Sequence, residues 1–444
     1  MEIPDVPSTL WPLLVVAAGS DRIALVGGAV RDLLLHHQHM DPWRGLVDLD
    51  LVIEDATALG MPAGMAQPEY PSPAWRLVKH LFASGDYVNV RGARPHGQYG
   101  TVELELELRP LALAEASTVM PIRLQLDVAS ARVETYPVPA DKPVVHFGAL
   151  EDDLARRDFT INAMAVDLAT STLLDPHGGE ADLAARQLRF LHANSVKDDP
   201  TRLVRAARYA SRLGFELAPE SATQAARTLA AWPWPWRTGD SPEKAPAALG
   251  TRLSRELELL LVQENWRVAL KLLQEWGGLS LLDPLLQADP LWTRRLRRAT
   301  QLGLPLMVAL IVSAEDPLAL AERLQLPHHQ RRILQQFSDL RRLLAQEVLR
   351  AGPGARAPWH WCQLLEMPSL SPEAVALALA CDVTPRRPLL RWLLKWRHLG
   401  SYADSPGADG RRGAPGSRSR GRATPLPAAA RGTGEGLGVC EKTA

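Results

Sequence analysis

Hydrophobic and polar positions follow two different rhythms along this chain. Residues 23–26 form an apolar run, Gly27 and Gly28 interrupt it, and residues 29–37 follow a helical period. Residues 47–53 (VDLDLVI) form a second short segment that is apolar except for Asp48 and Asp50. Short apolar runs bounded by glycine are typical of buried strands, whereas repeats of three and four residues are typical of amphipathic helices. The start of the chain is therefore predicted to fold as strand, turn, helix and strand.

Two later segments predict further strands, and the second half of the chain predicts helices. Residues 101–108 (TVELELEL) alternate strictly between apolar and acidic side chains, and residues 122–128 alternate likewise, with Asp127 out of phase with the apolar set. Such alternation places one side of a strand in the core and the other in solvent. Beyond residue 181 the helical period dominates, in residues 203–213, 253–261, 268–276, 304–313, 331–350 and 375–379. The predicted fold class is α+β, with strands first and helices after them.

Two segments predict boundaries within and after the helical half. Residues 232–246 (WPWPWRTGDSPEKAP) contain too many prolines for a helix, so we expect a loop between two helical parts. From residue 402 the chain is rich in Gly, Ala, Pro, Ser and Arg and almost lacks large apolar side chains, which predicts disorder. The arginines of this tail leave open whether it contacts RNA or is inert.

The charges are balanced overall but not along the chain. The 50 basic and 50 acidic residues give a net charge of zero, yet residues 1–155 carry about −10 and the remainder about +10. A carboxylate-rich first part and a basic second part suit a metal-dependent enzyme that acts on nucleic acid. Uneven charge in an ordinary soluble protein is the alternative.

Cysteine usage and the start of the chain bear on the compartment. Cys362, Cys381 and Cys440 are too few and too far apart for a disulfide framework or a CxxC zinc site, so we expect a reducing environment. The first residues lack the basic start of a secretory signal, and their apolar run is broken by Pro12 and too short to span a membrane. We therefore expect a cytoplasmic protein without a membrane segment.

The first candidate for chemistry combines the Gly27-Gly28 turn with the segment Asp48-Leu49-Asp50. Adjacent glycines between a strand and a helix let the backbone approach a phosphate, and Arg31, about one turn into the helix, can add a charge-assisted contact. Asp48 and Asp50 are separated by one residue on a predicted strand, so their carboxylates face the same side and suit a hard divalent cation such as Mg²⁺. Either motif alone is common in ordinary turns, whereas the two in this order favour nucleotide and metal binding.

Two further segments concentrate charged residues. Arg156-Arg157-Asp158 precedes the sequence FTINAMA, and ion pairs at a solvated helix start are one explanation of its charges. Asp199 and Pro200 fit the N-cap and the first turn of a helix. Four arginines follow at intervals of three and four residues: Arg202, Arg205, Arg208 and Arg212. That spacing aligns them in one basic stripe, which is either a solvated face or a binding surface.

Together, these motifs resemble those of bacterial tRNA nucleotidyltransferases and poly(A) polymerases. The matching segments are, in order, GGAVRD, DLD, RRDFTINAMA, DPHGGEADL and DDPTRLVRAARYASRLGF. The resemblance covers residues 20–290 and includes residues 251–283, which are similar to the helical segment that follows in the family. The family is the second class of CCA-adding enzymes in the DNA polymerase β-like nucleotidyltransferase superfamily.

The resemblance implies a domain order and a reaction. Residues 1–170 would form a nucleotidyltransferase head with a mixed β-sheet, residues 171–231 a helical neck with the base-binding helix, residues 232–401 a helical body and tail for tRNA, and residues 402–444 a disordered tail. The reaction would be Mg²⁺-dependent transfer of C, A or both from CTP and ATP to the 3′ end of tRNA, with release of pyrophosphate.

The resemblance also implies roles for individual residues. The carboxylates that would hold two Mg²⁺ ions are Asp48 and Asp50, and Asp127 would be a third catalytic carboxylate. The residues that would bind the nucleotide, from its triphosphate to its base, are Gly27, Gly28, Arg31, Arg157, Asp158, Asp199, Arg202, Arg205 and Arg208. Within that set, Asp199 and Arg202 match the pair that hydrogen-bonds the base edge in the family, so that protein replaces a nucleic-acid template.

Two departures from the family pattern leave the product open. Asp198 stands where the family commonly has Glu. Residues 135–147 retain only Asp141 and Lys142 of the charged residues that help other members change from C to A addition. The product is therefore CCA, CC or A alone. A poly(A) polymerase of the same family, an inactive RNA-binding protein on the same scaffold and a small-molecule nucleotidyltransferase are the alternatives.

Overall fold

The computed structural model describes residues 3–4, 6–43, 45, 49–55, 57, 60–62, 72–83, 88–108, 122–351 and 357–403. Asp48 and the tail beyond residue 403 lie outside the described residues, and the predicted disorder of that tail stays a prediction. The chain divides into two compact units. The first unit comprises residues 1–240 and 244–278, and the second comprises residues 241–243 and 279–444.

A mixed β-sheet forms the centre of the first unit. The strands are β1 (Arg22–Val26), β2 (Leu49–Glu54), β3 (Val88–His96), β4 (Thr101–Leu108), β5 (Ile122–Ser130), β6 (Arg132–Thr135), β7 (Val144–Phe147), β8 (Ala165–Asp167), β9 (Leu173–Leu174), β10 (Gln187–Leu188) and β11 (Glu216–Leu217). Among the described residues, seven strands form one sheet in the order β3-β4-β5-β2-β1-β8-β9, and β6 pairs with β7 and β10 with β11. Within that sheet β2 and β5 are parallel and the other neighbours are antiparallel, which confirms the predicted mixed sheet.

The predicted strands form where the apolar pattern places them. β1 covers the first apolar run, and its residues from Ile23 to Val26 are at most 2% exposed. β4 coincides with residues 101–108, and its valine and leucine side chains are buried while Glu103 and Glu105 are exposed. β5 begins where predicted and runs two residues further, to Ser130. Alternation with a period of two thus determines which face of this sheet is buried.

The helices of the first unit cover the sheet and continue beyond it. They are α1 (Leu10–Ala18), α2 (Gly28–His39), α3 (Pro73–Ala83), α4 (Leu150–Ala155), α5 (Gly179–Ala184), α6 (Ser195–Asp198), α7 (Thr201–Leu213), α8 (Pro219–Ala231), α9 (Thr251–Gln263) and α10 (Trp266–Glu275). The helix α7 packs against α9 and α10. Trp234 and Trp236 of the predicted loop are buried, and Nε1 of Trp234 donates to the carbonyl oxygen of Lys197 at 2.9 Å. The buried tryptophans therefore fix the start of this loop, which the prolines predict.

The second unit is helical throughout the residues that are described, which confirms the predicted change from strands to helices. Its helices are α11 (Pro284–Ala288), α12 (Trp292–Leu302), α13 (Leu306–Ile311), α14 (Pro317–Arg323), α15 (His328–Ala351), α16 (Pro358–Leu365), α17 (Pro372–Ala380) and α18 (Arg386–Ala403). Residues 374–380 of the apolar α17 are buried, and the helix packs against α12, α15 and α18. In the part of the chain that the structure describes, no helix is long and apolar enough to cross a membrane.

Candidate active site

The turn between β1 and α2 is formed by Gly27 in a backbone conformation that glycine alone adopts without strain. Its φ is 71° and its ψ is −133°, and its N–H donates to the carbonyl oxygen of Met164 at 3.3 Å. A Cβ atom at this position would lie 2.8 Å from Nη1 of Arg157 and 3.4 Å from Oδ2 of Asp50. Glycine therefore leaves the space in which an arginine and a carboxylate approach the backbone.

Two of the predicted catalytic carboxylates lie on neighbouring strands. Asp50 on β2 and Asp127 on β5 are partners in the parallel register, and both line an open pocket of about 300 Å³. Other charged or titratable residues that line this carboxylate pocket are His96, Glu103, Arg156 and Arg157. The structure thus brings together Asp50, Asp127 and Arg157.

The chemistry of these side chains fits a divalent cation. Carboxylate oxygens are the ligands that Mg²⁺ prefers, and two carboxylates from adjacent strands line one pocket. Asp48, the other predicted ligand, lies outside the described residues. Among the residues that the structure does describe, no three His, Cys, Asp or Glu side chains are grouped as a metal site. A metal site with three such ligands would therefore have to include a residue outside the described part of the chain.

Arg157 is held in the carboxylate pocket by a buried aspartate. Asp153 is fully buried, and it accepts hydrogen bonds from Nη2 of Arg156 at 2.7 Å and from Nη2 of Arg157 at 2.9 Å. Burial acts to raise the pKa of Asp153, but the two guanidinium groups outweigh it and hold that pKa below its usual range. Nε of Arg157 is buried and has no hydrogen-bond partner among the described residues.

Asp158 connects the same segment to α7. Its carboxylate accepts from the N–H of Phe159 and from Nδ2 of Asn162, both at 2.9 Å, and it pairs with Arg205 at 2.7 Å. Burial acts to raise the pKa of Asp158, but the charge of Arg205 and the other hydrogen bonds lower it below its usual range. An ionised Asp158 therefore links the segment beside the carboxylate pocket to the helix predicted to bind the base.

Asp199, predicted to read the base, is buried at the start of α7. Its side chain is almost inaccessible, and Oδ1 accepts from the N–H of Thr201 at 3.0 Å and from the hydroxyl of Thr201 at 2.6 Å. These bonds satisfy the amide of Thr201, the first residue of α7, although the N-cap position is Pro200 and not Asp199 as predicted. Oδ2 of Asp199 pairs with Arg252 of α9.

Arg202, the predicted partner of Asp199, is 5% exposed and also bonded within the protein. It donates to the carbonyl oxygen of Arg156 at 2.7 Å and to Nε2 of His192 at 3.2 Å. Because Arg156 lines the carboxylate pocket, these contacts connect the predicted base-reading residues to the predicted catalytic residues.

The basic stripe of α7 is covered by acidic residues of the segment that follows α8. Arg205 and Arg208 both pair with Glu256, and Arg212 pairs with Glu264. Arg202 and Arg208 are only 5% and 9% exposed, so the interpretation of the stripe as a solvated face is wrong. The roles of Arg205 and Arg208 as nucleotide ligands stay predictions.

Arg31 and Gly28 lie at the start of α2. Arg31 is 3% exposed, donates to Asp32 and to Asn162, both at 2.8 Å, and lies 5.1 Å from the ring centroid of Tyr209. A Cβ on Gly28 would lie 3.5 Å from Nη2 of Arg31. Arg31 is not among the residues that line the carboxylate pocket, and its contact with a triphosphate stays a prediction.

Sequence reasoning missed four residues that hold the site together: Asp153, His192, Arg252 and Glu256. One signal was available, because Asp153 precedes Arg157 by four residues in a helical segment, the spacing of an ion pair. His192 lies ten residues before its partner Arg202 and outside the motifs. Arg252 and Glu256 lie 53 and 51 residues from Asp199 and Arg205, in the segment 251–283, where the resemblance gives no roles to individual residues.

Parts of the chain are similar to known nucleotidyltransferases in sequence. A family model described as Poly A polymerase head domain matches residues 110–189. A CC-adding tRNA nucleotidyltransferase from Deinococcus radiodurans is 34% identical over 320 residues, which make up 70% of this chain and 68% of that protein. An A-adding tRNA nucleotidyltransferase from Aquifex aeolicus is 37% identical over 199 residues, 44% of this chain and 19% of that protein.

Solved structures extend the likeness to the fold. A CCA-adding enzyme in an apo form has a TM-score of 0.61 at 21% identity and matches 91% of this chain and 89% of that chain. A tRNA nucleotidyltransferase complexed with a primer tRNA and an incoming ATP analog has a TM-score of 0.54 at 23% identity, over 88% of this chain and 99% of that chain. These identities establish the fold alone. The match to the Deinococcus protein, at 34% identity over 68% of its length, shows that the chain belongs to the tRNA nucleotidyltransferase family.

Proposed function

We propose that this nucleotidyltransferase transfers cytidylate, adenylate or both from CTP and ATP to the 3′ end of tRNA and releases pyrophosphate. The observation that carries the proposal is the placement of Asp50 and Asp127 on paired strands beside Gly27 and Arg157. Phosphoryl transfer depends on positioned charge more than on covalent help from the protein, and these groups supply such charge. The relatives are named as CC-adding and A-adding enzymes, which supports this substrate class.

Asp48 and Asp50, with Asp127 as a third carboxylate, are proposed to hold two Mg²⁺ ions. When bound, Mg²⁺ would lower the pKa of the terminal 3′-hydroxyl of the primer and screen the departing pyrophosphate. Asp50 and Asp127 provide the negative charge of the site, and the turn at Gly27 lets triphosphate oxygens approach backbone amides. The guanidinium of Arg157, which lines this pocket, suits a phosphate oxygen.

The base of the nucleotide is proposed to meet Asp199 and Arg202. A carboxylate accepts from the exocyclic amine of cytosine or adenine, and a guanidinium donates to their ring acceptors. Guanine and uracil present a different arrangement of donors and acceptors, so this pair would select against them. Gly28 and Arg31 are proposed to contact the triphosphate, Asp158 to position α7, and Arg205 and Arg208 to support the nucleotide from the same helix face.

The basic helical part of the chain is proposed to hold the RNA by its phosphates. In the second unit, a pocket of about 240 Å³ between α12, α15 and the end of α17 has five charged lining residues: Arg294, Arg295, Arg298, Arg341 and Asp382. Asp382 pairs with Arg294 at 2.8 Å and also with Arg298. Arg295 also pairs with Asp289 at 2.7 Å. The other three guanidinium groups against Asp382 leave an excess of positive charge, which suits sequence-independent phosphate contacts.

On the basis of these assignments we propose a role for each predicted domain. Residues 1–170 would act as the catalytic head, residues 171–231 as the neck that reads the base, and residues 232–401 as the body and tail that hold tRNA. The three roles correspond to the carboxylate pocket, the start of α7 and the arginine pocket of the second unit.

The test is single-nucleotide extension of tRNA transcripts that end before CCA, after C or after CC. Each transcript is incubated with Mg²⁺ and CTP, ATP or both, with Asp50→Asn as the inactive control. Addition of CCA, CC or A followed by a stop is the expected result, and the transcript that is extended identifies the product. Failure to extend any of them, or equal activity of Asp50→Asn, would overturn the proposal.

A poly(A) polymerase is the second candidate, and the match of residues 110–189 to a Poly A polymerase head domain favours it. Unlimited addition of A to the same transcripts would establish it in place of the tRNA-end enzyme. Transfer of nucleotides to a small molecule without RNA would instead indicate a small-molecule nucleotidyltransferase. Such an enzyme would not need the arginine pocket of the second unit.

A further inference from the structure

His192 lies between β10 and α6 and belongs to none of the motifs described above. Its N–H donates to Oγ of Ser195 at 3.3 Å, and its carbonyl oxygen accepts from Nε2 of Gln224 at 3.0 Å. Two residues earlier, Phe190 is buried and its ring stacks on that of Phe159, with centroids 5.4 Å apart. The backbone that carries the imidazole is therefore anchored on both sides.

The imidazole of His192 contacts the guanidinium of Arg202. Nε2 of His192 lies 3.2 Å from Nη1 of Arg202. An arginine has only donors, so Nε2 must accept, which requires a neutral imidazole with its proton on Nδ1. Burial, and then the positive charge of Arg202, lower the pKa of His192 to about 4, so this acceptor is available at neutral pH.

Arg202 is thereby held at both of its terminal nitrogens. Nη2 donates to the carbonyl oxygen of Arg156 at 2.7 Å, while Nη1 donates to His192. Two acceptors in fixed positions set the plane of a guanidinium and hence the direction of its remaining N–H groups. A donor distinguishes one base edge from another only when its direction is fixed.

We propose that His192 is a positioning residue that orients Arg202 for recognition of the incoming base. This inference rests on the proposed function. His192 accepts one N–H of Arg202 and contributes no group to the reacting atoms, so it acts on the choice of nucleotide rather than on the transfer step. Without this acceptor the guanidinium keeps a single hydrogen-bonded anchor, the carbonyl oxygen of Arg156. The direction of its donors is then less fixed, so the difference in binding free energy between correct and incorrect bases becomes smaller.

The experiment compares two substitutions of His192 with a matched control. His192→Phe removes the acceptor and keeps an aromatic ring, whereas His192→Gln keeps an acceptor in the side chain. Gln224→Met removes the hydrogen bond to the His192 backbone and leaves the imidazole intact, so it reports on a merely structural disturbance of the same segment. For each protein, kcat and KM are measured for CTP and ATP on the tRNA that the wild type extends, and misincorporation is measured with UTP and GTP.

His192→Phe is expected to raise KM for the correct nucleotide about tenfold and to lower the ratio of correct to incorrect kcat/KM by a similar factor, with a smaller change in kcat. His192→Gln should restore most of that ratio, and Gln224→Met should leave it within twofold of the wild type. A ratio unchanged in His192→Phe, or equally reduced in Gln224→Met, would overturn the inference.

A double substitution and a binding measurement cover the remaining outcomes. If His192 acts through Arg202, adding His192→Phe to Arg202→Lys should cause little further loss of selectivity, and additive losses would contradict it. If His192→Phe folds too poorly for the extension assay, calorimetric titration with CTP, ATP, UTP and GTP in the absence of RNA measures nucleotide preference as binding affinity. His192→Gln can then be compared directly with the wild type. A wild type that extends no tRNA refutes the proposed function, whereas an active wild type with unchanged nucleotide preference in the variants refutes only the role of His192.

Discussion

Replacing Gly27 by alanine tests whether the close approach of this turn to Arg157 and Asp50 is required for catalysis. The added Cβ would lie 2.8 Å from Nη1 of Arg157, a distance that side chains do not tolerate, and 3.4 Å from Oδ2 of Asp50. Nη1 is at the flexible end of its side chain, so the arginine can move aside. The substitution therefore changes the position of Arg157 within the carboxylate pocket more than it disturbs the surrounding fold.

The loss of stability is set by the backbone. With φ at 71° and ψ at −133°, an alanine at position 27 would cost about 1–3 kcal/mol. Gly19 provides a matched control, because its φ of 63° and ψ of −111° lie in the same region and a Cβ there would meet nothing within 4 Å. Gly19→Ala and Gly27→Ala should therefore lower the free energy of unfolding by similar amounts.

Activity should separate the two variants. A displacement of about 1 Å in a group that positions substrate can reduce turnover about 100-fold, so Gly27→Ala should lose about that factor in kcat/KM while Gly19→Ala stays near the wild type. The assay pairs tRNA extension with urea unfolding of the same preparations. A difference in kcat/KM below twofold between the variants, at equal stability, would refute a functional role for the close approach at Gly27.

Three other substitutions test charge at separate places. Asp127→Asn should lower kcat in tRNA extension at least about 100-fold, while Glu105→Gln on the neighbouring strand should leave kcat within twofold; equal losses would remove Asp127 from the site. Because the folded pKa of Asp158 is lowered, this carboxylate stabilises the fold fully above its unfolded pKa of about 3.9, and that contribution is lost as the pH falls toward the folded value. Urea unfolding of Asp158→Asn should therefore depend less on pH in that acidic range, and an unchanged dependence would contradict the direction of the shift. Arg341→Ala should reduce the slope of log tRNA affinity against log salt by about one, and Arg297→Ala, an exposed arginine outside the pocket, should change it less; the reverse order would count against the arginine pocket.

The strands that the sequence predicts are those whose apolar and polar side chains alternate regularly. In β4 the alternation runs without interruption from Thr101 to Leu108, and burial follows it except at Glu107, which is buried and paired with Arg91. β3 shows no such pattern, because Gly92 and Pro95 interrupt it and its register with β4 shifts between Val90 and Gly92. β3 forms because a hairpin joins it to β4 and the two strands pair. The pattern of β4 predicts a strand, whereas the residues of β3 alone do not.

In the candidate site, too, the sequence predicts some residues and not others. Asp50 and Asp127 were identified from motif and resemblance, and their pairing in the register of β2 and β5 places both at one pocket. The partners that fix the base-reading residues had no such signal. Arg252 and His192 contact Asp199 and Arg202 only because α9 and the segment before α6 pack beside α7, and packing between distant segments leaves no periodic trace in either of them.

The partners of the basic stripe change what its arginines can do. A helical period shows that Arg205 and Arg208 share a face, but it does not show that Glu256 and Asp158 already occupy that face. A phosphate approaching these arginines would have to displace carboxylates or share donors with them, which weakens its binding. Arg157 is also paired, with Asp153, but unlike Arg205 and Arg208 it lines the carboxylate pocket. We therefore propose the phosphate contact for Arg157. For Arg205 we propose that it holds α7 against Asp158, which would keep the predicted base-reading residues at a fixed position relative to the carboxylates.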